Sequence, residues 1–162
     1  MFTHILVPTD LTPLSDAALT YAKTLARTFG GTVHLLHVLP NVFLRPVVSD
    51  PRALEASARK QLQCHLTDAE NEQLHVVTAV GRSDEPVDEI VSYARLHDID
   101  LIVLGTHGRR RGAHLLMRSI TEKVIRTAPC PVLTVRGDDT HALEGGSDVR
   151  THTRTDRFQP AV

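Results

Sequence analysis

Short apolar runs rich in β-branched residues recur along most of the chain, and stretches with helical spacing of their apolar positions lie between them. This alternation of strands and helices predicts an α/β fold built on a parallel sheet. The runs lack polar alternation, which is typical of a sheet that has helices on both faces. Five strands are predicted, at residues 4–7, 32–38, 74–80, 101–104 and 131–135.

The first two predicted helices follow the first two strands. Thr12 is a suitable N-cap and Pro13 a suitable first residue for the first helix, and Gly30 supplies a left-handed stop after it. The second helix is expected over residues 52–71, with most of its surface exposed.

The third and fourth predicted helices flank the fourth strand. Ser83 or Asp84 can cap the third helix. Ser119 and Glu122 have the spacing of a capping box, so the fourth helix is expected to begin directly after Ser119. It should end by Ala128, because two prolines follow closely.

Length, charge and hydropathy argue against several classes of protein. The 162 residues suit one domain with a tail, and 41% of them are hydrophobic. The 18 basic and 19 acidic residues give a net charge of -1, so no bulk attraction to nucleic acid is expected. Without any run of about 18 apolar residues, no membrane-spanning segment is expected either.

The N-terminal residues and the cysteines suggest a cytoplasmic location. No export signal is visible, and Cys64 and Cys130 form no CxxC pair. No structural metal is expected, because the histidines, including His34 and His37, follow no zinc spacing.

The domain is expected to occupy residues 1–136. Residues 137–162 have almost no apolar periodicity and are predicted to form a disordered C-terminal tail. Their composition is equally compatible with a partner-binding segment and with a tail of no function.

The most promising chemistry lies directly after the fourth strand, in Gly105, Thr106, His107 and Gly108. Open parallel sheets bind ligands at the carboxyl ends of their strands, where glycines and the amides at a helix start suit an anion. A flexible loop is the competing interpretation of this short pattern. The chain has no P-loop motif and no GxGxxG after the first strand.

Two segments make the chain resemble the universal stress proteins over residues 2–136. The first is residues 5–12, a strand that ends in Asp10 followed by Thr12. The second is G-x-x-G at residues 105–108, nine further residues, then Arg118 and Ser119. The nucleotide-binding branch of that family has glycine at the position of Arg118. The resemblance implies a Rossmann-like domain with an adenine-nucleotide pocket between the first and fourth strands.

The resemblance also implies which residues bind the nucleotide. Pro8, Thr9 and Asp10 would lie against adenine and ribose, and Val38 would offer backbone groups to the base. The remaining predicted site residues would surround the phosphates; they are Gly105, Thr106, His107, Gly108, Arg118, Ser119 and Ile120. Asp10 has an alternative interpretation as a turn residue before the helix, and Ser119 one as a helix cap.

Arg118 leaves two outcomes open at the phosphates. Its side chain could obstruct the close backbone approach that glycine allows, or its guanidinium could donate charge-assisted hydrogen bonds to a phosphate.

Three functions follow from these expectations. The first is a cytoplasmic stress-response protein that binds ATP or a related adenine nucleotide, with or without Mg²⁺, as a regulatory ligand. The second is a nucleotide-independent dimeric interaction protein, and the third a slow ATPase, for which no residue is convincingly placed to activate water. The resemblance further implies a homodimer formed through the last strand, from Val132 to Val135.

Overall fold

The structure is a computed structural model that describes residues 2–40, 50–66, 74–106 and 115–136, with only the backbone described at residues 51 and 115–119. The five strands in these ranges are β1 (His4–Thr9), β2 (Thr32–Leu39), β3 (His75–Arg82), β4 (Leu101–Thr106) and β5 (Val132–Arg136). The helices are α1 (Pro13–Phe29), α2 (Pro51–Cys64), α3 (Pro86–Leu96) and α4 (Leu115–Thr127). The predicted tail, residues 137–162, lies outside the described residues.

The described strands form one parallel sheet in the order β3-β2-β1-β4-β5. The chain builds β1, β2 and β3 outward in one direction, then returns to place β4 on the other side of β1. The order therefore reverses between β1 and β4, which is where such sheets open a crevice at their carboxyl ends. The α/β fold with a five-stranded parallel sheet is confirmed.

Alternate side chains of the central strand enter two separate cores. Ile5 and Val7 pack on the face covered by α1 and α2, whereas Leu6 packs on the face covered by α3 and α4. All three side chains are fully buried. Both faces are covered, which explains why the strand sequences lack polar alternation.

Helix α1 begins and ends at the predicted residues. Pro13 is its first residue and Thr12 holds the N-cap position, although the Thr12 side chain makes no capping bond. Gly30 adopts the left-handed conformation with φ 67°, and its N–H donates to the carbonyl of Ala26.

The predicted boundaries of the other helices were partly wrong. Helix α2 ends at Cys64 rather than at residue 71, because the next amide, that of His65, donates to the carbonyl of Leu62 in a tighter turn. At α3 the N-cap is Glu85, and Ser83 instead accepts a hydrogen bond from the Glu85 amide at 3.1 Å.

The predicted start of α4 was also wrong. The helix is already formed at Leu115, so Ser119 and Ile120 are its fifth and sixth residues. Only the first four amides of a helix lack an intrahelical partner, so these two are not free helix-start donors. The capping-box spacing occurs here inside a helix. The predicted end before Ala128 is confirmed.

Candidate functional site

A cleft opens at the carboxyl ends of β1, β2 and β4, at the point where the strand order reverses. Its empty volume, counted to the open mouth, is about 660 Å³. Its walls are mainly apolar, with a few polar side chains. The lining residues are Pro8, Thr9, Asp10, Leu14, Ser15, Leu36, His37, Val38, Pro86, Ile90, Leu104, Gly105, Ile120 and Thr121.

The cleft brings together residues that are far apart in the sequence. Those that were predicted and that line it are Pro8, Thr9, Asp10, Val38, Gly105 and Ile120. Thr106 ends β4 outside this lining, and its hydroxyl is 3.5 Å from the carbonyl oxygen of Val135. His107 and Gly108 lie outside the described residues. Arg118 and Ser119 lie in α4, where only the backbone is described.

A chain of hydrogen bonds fixes the turn between β1 and α1. The Ser15 hydroxyl donates to the carbonyl of Thr12 at 2.8 Å, so its oxygen accepts from the Thr9 hydroxyl, also at 2.8 Å. The amide of Leu11 donates to the Thr9 hydroxyl oxygen at 3.0 Å. These bonds hold Leu11 in the left-handed conformation, φ 63°, which is unfavourable for leucine. The turn is therefore preorganised at the floor of the cleft.

Asp10 is the acidic residue of this turn and is exposed. Its Oδ1 accepts hydrogen bonds from the Thr12 amide at 3.1 Å and from the Thr12 hydroxyl at 2.6 Å. Asp10 thus forms the turn that one interpretation of the sequence predicted. Its Oδ2 has no hydrogen-bond partner among the described residues, and it remains available to a ligand hydroxyl.

Val38 extends past the end of the β1–β2 pairing. The last registered pair of these strands is Thr9 with His37, whereas on the other side of β2 Val38 is paired with Gly81. Val38 therefore has no registered strand partner on the side where the cleft lies.

His37 is one of the polar lining residues that sequence reasoning missed as candidates for ligand binding. Its Nδ1 lies 2.8 Å from the carbonyl oxygen of Thr9, its partner in the register of β1 and β2. Its polar side chain near the carboxyl end of β2 was the available signal. The other lining residues not predicted are Leu14, Ser15, Leu36, Pro86, Ile90, Leu104 and Thr121.

A second polar cluster lies near the amino ends of β1 and β2, away from the cleft. His34 is buried at the centre of this cluster. Its Nε2 lies 3.3 Å from Nδ1 of His4, and its Nδ1 lies 3.1 Å from the Tyr93 hydroxyl oxygen. The centre of its ring lies 5.8 Å from the centre of the His97 ring. Burial, followed by the positive charges of His4 and His97, lowers the pKa of His34 from 6.5 to about 4. The ring is therefore neutral near pH 7 and serves the packing of α3 on β2.

Asp100 lies beside this cluster, where its Oδ2 accepts a hydrogen bond from the His4 amide at 3.2 Å. Burial raises the pKa of the Asp100 carboxyl, but hydrogen bonds from Thr3 and His4 outweigh that effect and lower the pKa overall. Its Oδ2 accepts from the Thr3 amide at 2.7 Å and from the Thr3 hydroxyl at 2.8 Å. In the parts of the chain that the structure describes, no three His, Cys, Asp or Glu side chains are arranged to hold a metal ion. Nor does any helix there have the length and apolar character to cross a membrane.

Comparison with known proteins decides the family. The sequence profile described as the Universal stress protein family matches residues 1–136. The chain belongs to the universal stress protein family. Universal stress protein A homolog 1 of Coxiella burnetii is 30% identical over 144 residues, which cover 83% of this chain and 96% of that protein.

Solved universal stress proteins share the fold. UspA from Lactobacillus plantarum superposes with a TM-score of 0.67 at 28% identity, covering 83% of this chain and 98% of that one. A universal stress protein from Archaeoglobus fulgidus, solved in complex with dAMP, gives a TM-score of 0.61 at 24% identity, covering 82% of this chain and 97% of that one. These likenesses confirm the predicted Rossmann-like fold.

Proposed function

We propose that this universal stress protein binds ATP or a related adenine nucleotide as a regulatory ligand, in the cleft between β1 and β4. The observation that carries the proposal is the convergence of Asp10, Val38 and Gly105 on one largely apolar cleft at the strand-order reversal. An apolar slot with a few fixed polar groups suits a purine ring joined to a sugar. The proposal includes a cytoplasmic location and a domain that ends at residue 136.

The geometry around Asp10 supports a place for the ribose. The Thr12 bonds hold Oδ1, so the carboxylate is oriented before any ligand arrives. Oδ2 is the acceptor that a ribose hydroxyl needs, as carboxylates at the ends of Rossmann strands provide. The adenine would lie beside Val38, whose backbone has no registered partner on that side.

The phosphates are proposed to extend toward the loop after β4. Gly105 lines the cleft at the start of this path, and Thr106, His107, Gly108, Arg118, Ser119 and Ile120 follow in the chain. Because α4 is already formed at Leu115, free helix-start amides do not contribute near Ser119. The loop amides and the Arg118 guanidinium are the proposed donors, with Mg²⁺ an optional companion of the phosphates.

A relative supports the choice of ligand. The Archaeoglobus fulgidus universal stress protein that shares this fold was solved with dAMP, an adenine nucleotide. We extend that ligand class to this chain on the basis of its own cleft.

Calorimetric titration of nucleotide-free protein tests the proposal. ATP or AMP is expected to bind with a Kd below about 1 mM, the weak end of specific affinity. Asp10→Ala should weaken binding roughly tenfold, because a ribose hydroxyl then loses a charged acceptor. Asp88→Ala, which removes the same charge from an exposed position outside the cleft lining, is the matched control. Failure of every adenine nucleotide to bind would contradict the proposal.

The second candidate is a dimeric interaction protein that needs no nucleotide. The observation that favours it is the position of β5 at one edge of the described sheet, with Leu133 exposed on it. An exposed edge can pair with a second copy of itself. In this candidate the Arg118 side chain closes the phosphate path, so the two candidates make opposite predictions for the effect of Arg118 on ATP binding.

A further inference from the structure

His37 is one of the few polar residues in the apolar part of the cleft. It lies near the end of β2, next to Val38, and its side chain is half-buried. The residue opposite it in the register is Thr9, whose own side chain also lines the cleft. His37 therefore belongs to the wall against which the proposed base would lie.

The contact with Thr9 determines which ring nitrogen carries a proton. Nδ1 of His37 lies 2.8 Å from the carbonyl oxygen of Thr9. A carbonyl oxygen only accepts, so Nδ1 must be the donor. In a neutral imidazole with a proton on Nδ1, the other nitrogen, Nε2, carries a lone pair and is an acceptor. The backbone of β1 thus fixes both the tautomer and the orientation of the ring.

Two other polar side chains that line the cleft, those of Thr9 and Ser15, are already engaged. The hydroxyls of Thr9 and Ser15 bond to each other, and Ser15 donates onward to the carbonyl of Thr12. Nε2 of His37, by contrast, has no partner among the described residues. An acceptor without a partner in a mainly apolar cleft favours a ligand that brings an N–H group, because burial without a hydrogen bond is unfavourable.

We infer that His37 reads the base: its Nε2 accepts a hydrogen bond from the exocyclic 6-amino group of adenine. This inference rests on the proposed function and adds base specificity to it. A 6-oxo purine presents an acceptor at the same position, which would face the lone pair of Nε2. The site should therefore prefer a 6-amino purine nucleotide to a 6-oxo one, since an unmatched polar pair discriminates more strongly than a missing methyl group.

The test compares ATP with inosine triphosphate, whose base carries the 6-oxo group, by calorimetric titration of nucleotide-free protein. The wild-type protein should bind ATP about tenfold more tightly, the effect of one unmatched hydrogen bond. His37→Asn keeps an amide donor for the Thr9 carbonyl but removes Nε2. The His37→Asn variant should bind ATP and inosine triphosphate with affinities within about twofold of each other, mainly because its affinity for ATP is lower. His75→Asn, at an exposed position at the start of β3, is the matched control and should keep the preference.

The outcomes separate this inference from the proposed function. Equal binding of the two nucleotides by the wild-type protein, or a preference that survives in His37→Asn, overturns the inference and leaves nucleotide binding intact. Binding of neither nucleotide overturns both. A second measurement needs no substitution: long-range ¹H–¹⁵N NMR spectra should show His37 protonated at Nδ1, and a ring protonated only at Nε2 would overturn the inference.

Discussion

The carbonyl oxygen of Leu14 occupies the space that a side chain at Gly105 would need. A Cβ built on Gly105 would lie 2.5 Å from that oxygen and 2.9 Å from Cγ of the Leu14 side chain. The first turn of α1 therefore packs directly onto the backbone at the end of β4. Sequence reasoning assigned Gly105 to phosphate approach, but the structure gives it a packing role as well.

Gly105→Ala should destabilise the protein. The new methyl group meets backbone, which cannot move without shifting α1, so the expected loss is about 1–3 kcal/mol in the free energy of unfolding. Urea denaturation measures it. Gly81→Ala is the matched comparison, because its Cβ would meet the side chain of Glu89, which can move aside. Equal losses in the two variants would contradict the backbone contact.

The stability of the protein should fall as the pH falls from about 7 to about 5. His34 has a pKa of about 4 in the folded protein, against 6.5 for an unperturbed histidine, so the unfolded chain binds the proton first. Stability is therefore fully present above pH 6.5 and is lost as the pH approaches 4. The loss between pH 7 and pH 5 is roughly 2 kcal/mol for this one group.

Denaturant titrations at several pH values check this dependence. His34→Gln removes the titrating ring, so its stability should change less over the same range, although Tyr93 and His4 lose a partner. His75→Gln, an exposed histidine at the start of β3, should keep the wild-type slope. A slope that is unchanged in His34→Gln would show that His34 does not carry the effect.

Arg118→Gly tests whether the arginine obstructs the phosphates. If the Arg118 guanidinium donates to a phosphate, as proposed, its removal should weaken ATP binding by about tenfold, the value of one charge-assisted hydrogen bond. Calorimetric titration with ATP and with adenosine separates a phosphate effect from an effect on the base, since adenosine affinity should not change. A tenfold gain in ATP affinity would favour the nucleotide-independent dimer as the function of the natural sequence.

If the protein dimerises through β5, a lysine substitution on β5 should disrupt the dimer, whereas one on the other edge strand, β3, should not. Leu133→Lys places a charge on the outer face of β5 and should yield monomer at micromolar concentration, whereas the wild-type protein is expected to be a dimer. Val77→Lys, on edge strand β3 with a side chain of similar exposure, is the control and should remain dimeric. Light scattering after size exclusion measures both. A monomeric wild-type protein would contradict the prediction.

The strands could be predicted because each depends on a local signal. Runs such as residues 101–104 are apolar at every position, and only a sheet covered on both faces buries all of them. The start of α1 could also be predicted from a local signal, because Pro13 fixes the backbone of the first turn. Asp10 and Val38 were placed at the ligand site by the resemblance to the universal stress proteins, and both line the cleft.

The start of α4 and the role of His37 could not be predicted from the same signals. Ser119 and Glu122 match a capping box by spacing alone, and this spacing does not report that the helix is already formed at Leu115. His37 acquires its role from the carbonyl of Thr9, a contact that exists only after β1 and β2 are in register. The packing role of Gly105 could not be predicted either, because the residue that it contacts, Leu14, is more than ninety positions away in the chain.

A crystal structure of the nucleotide-free protein soaked with ATP would show directly whether the cleft binds an adenine nucleotide. We expect electron density for an adenine nucleotide between β1 and β4, with the ribose against Asp10 and the base beside Val38 and His37. An empty cleft at saturating ATP, or an Arg118 side chain lying in the phosphate path, would contradict it.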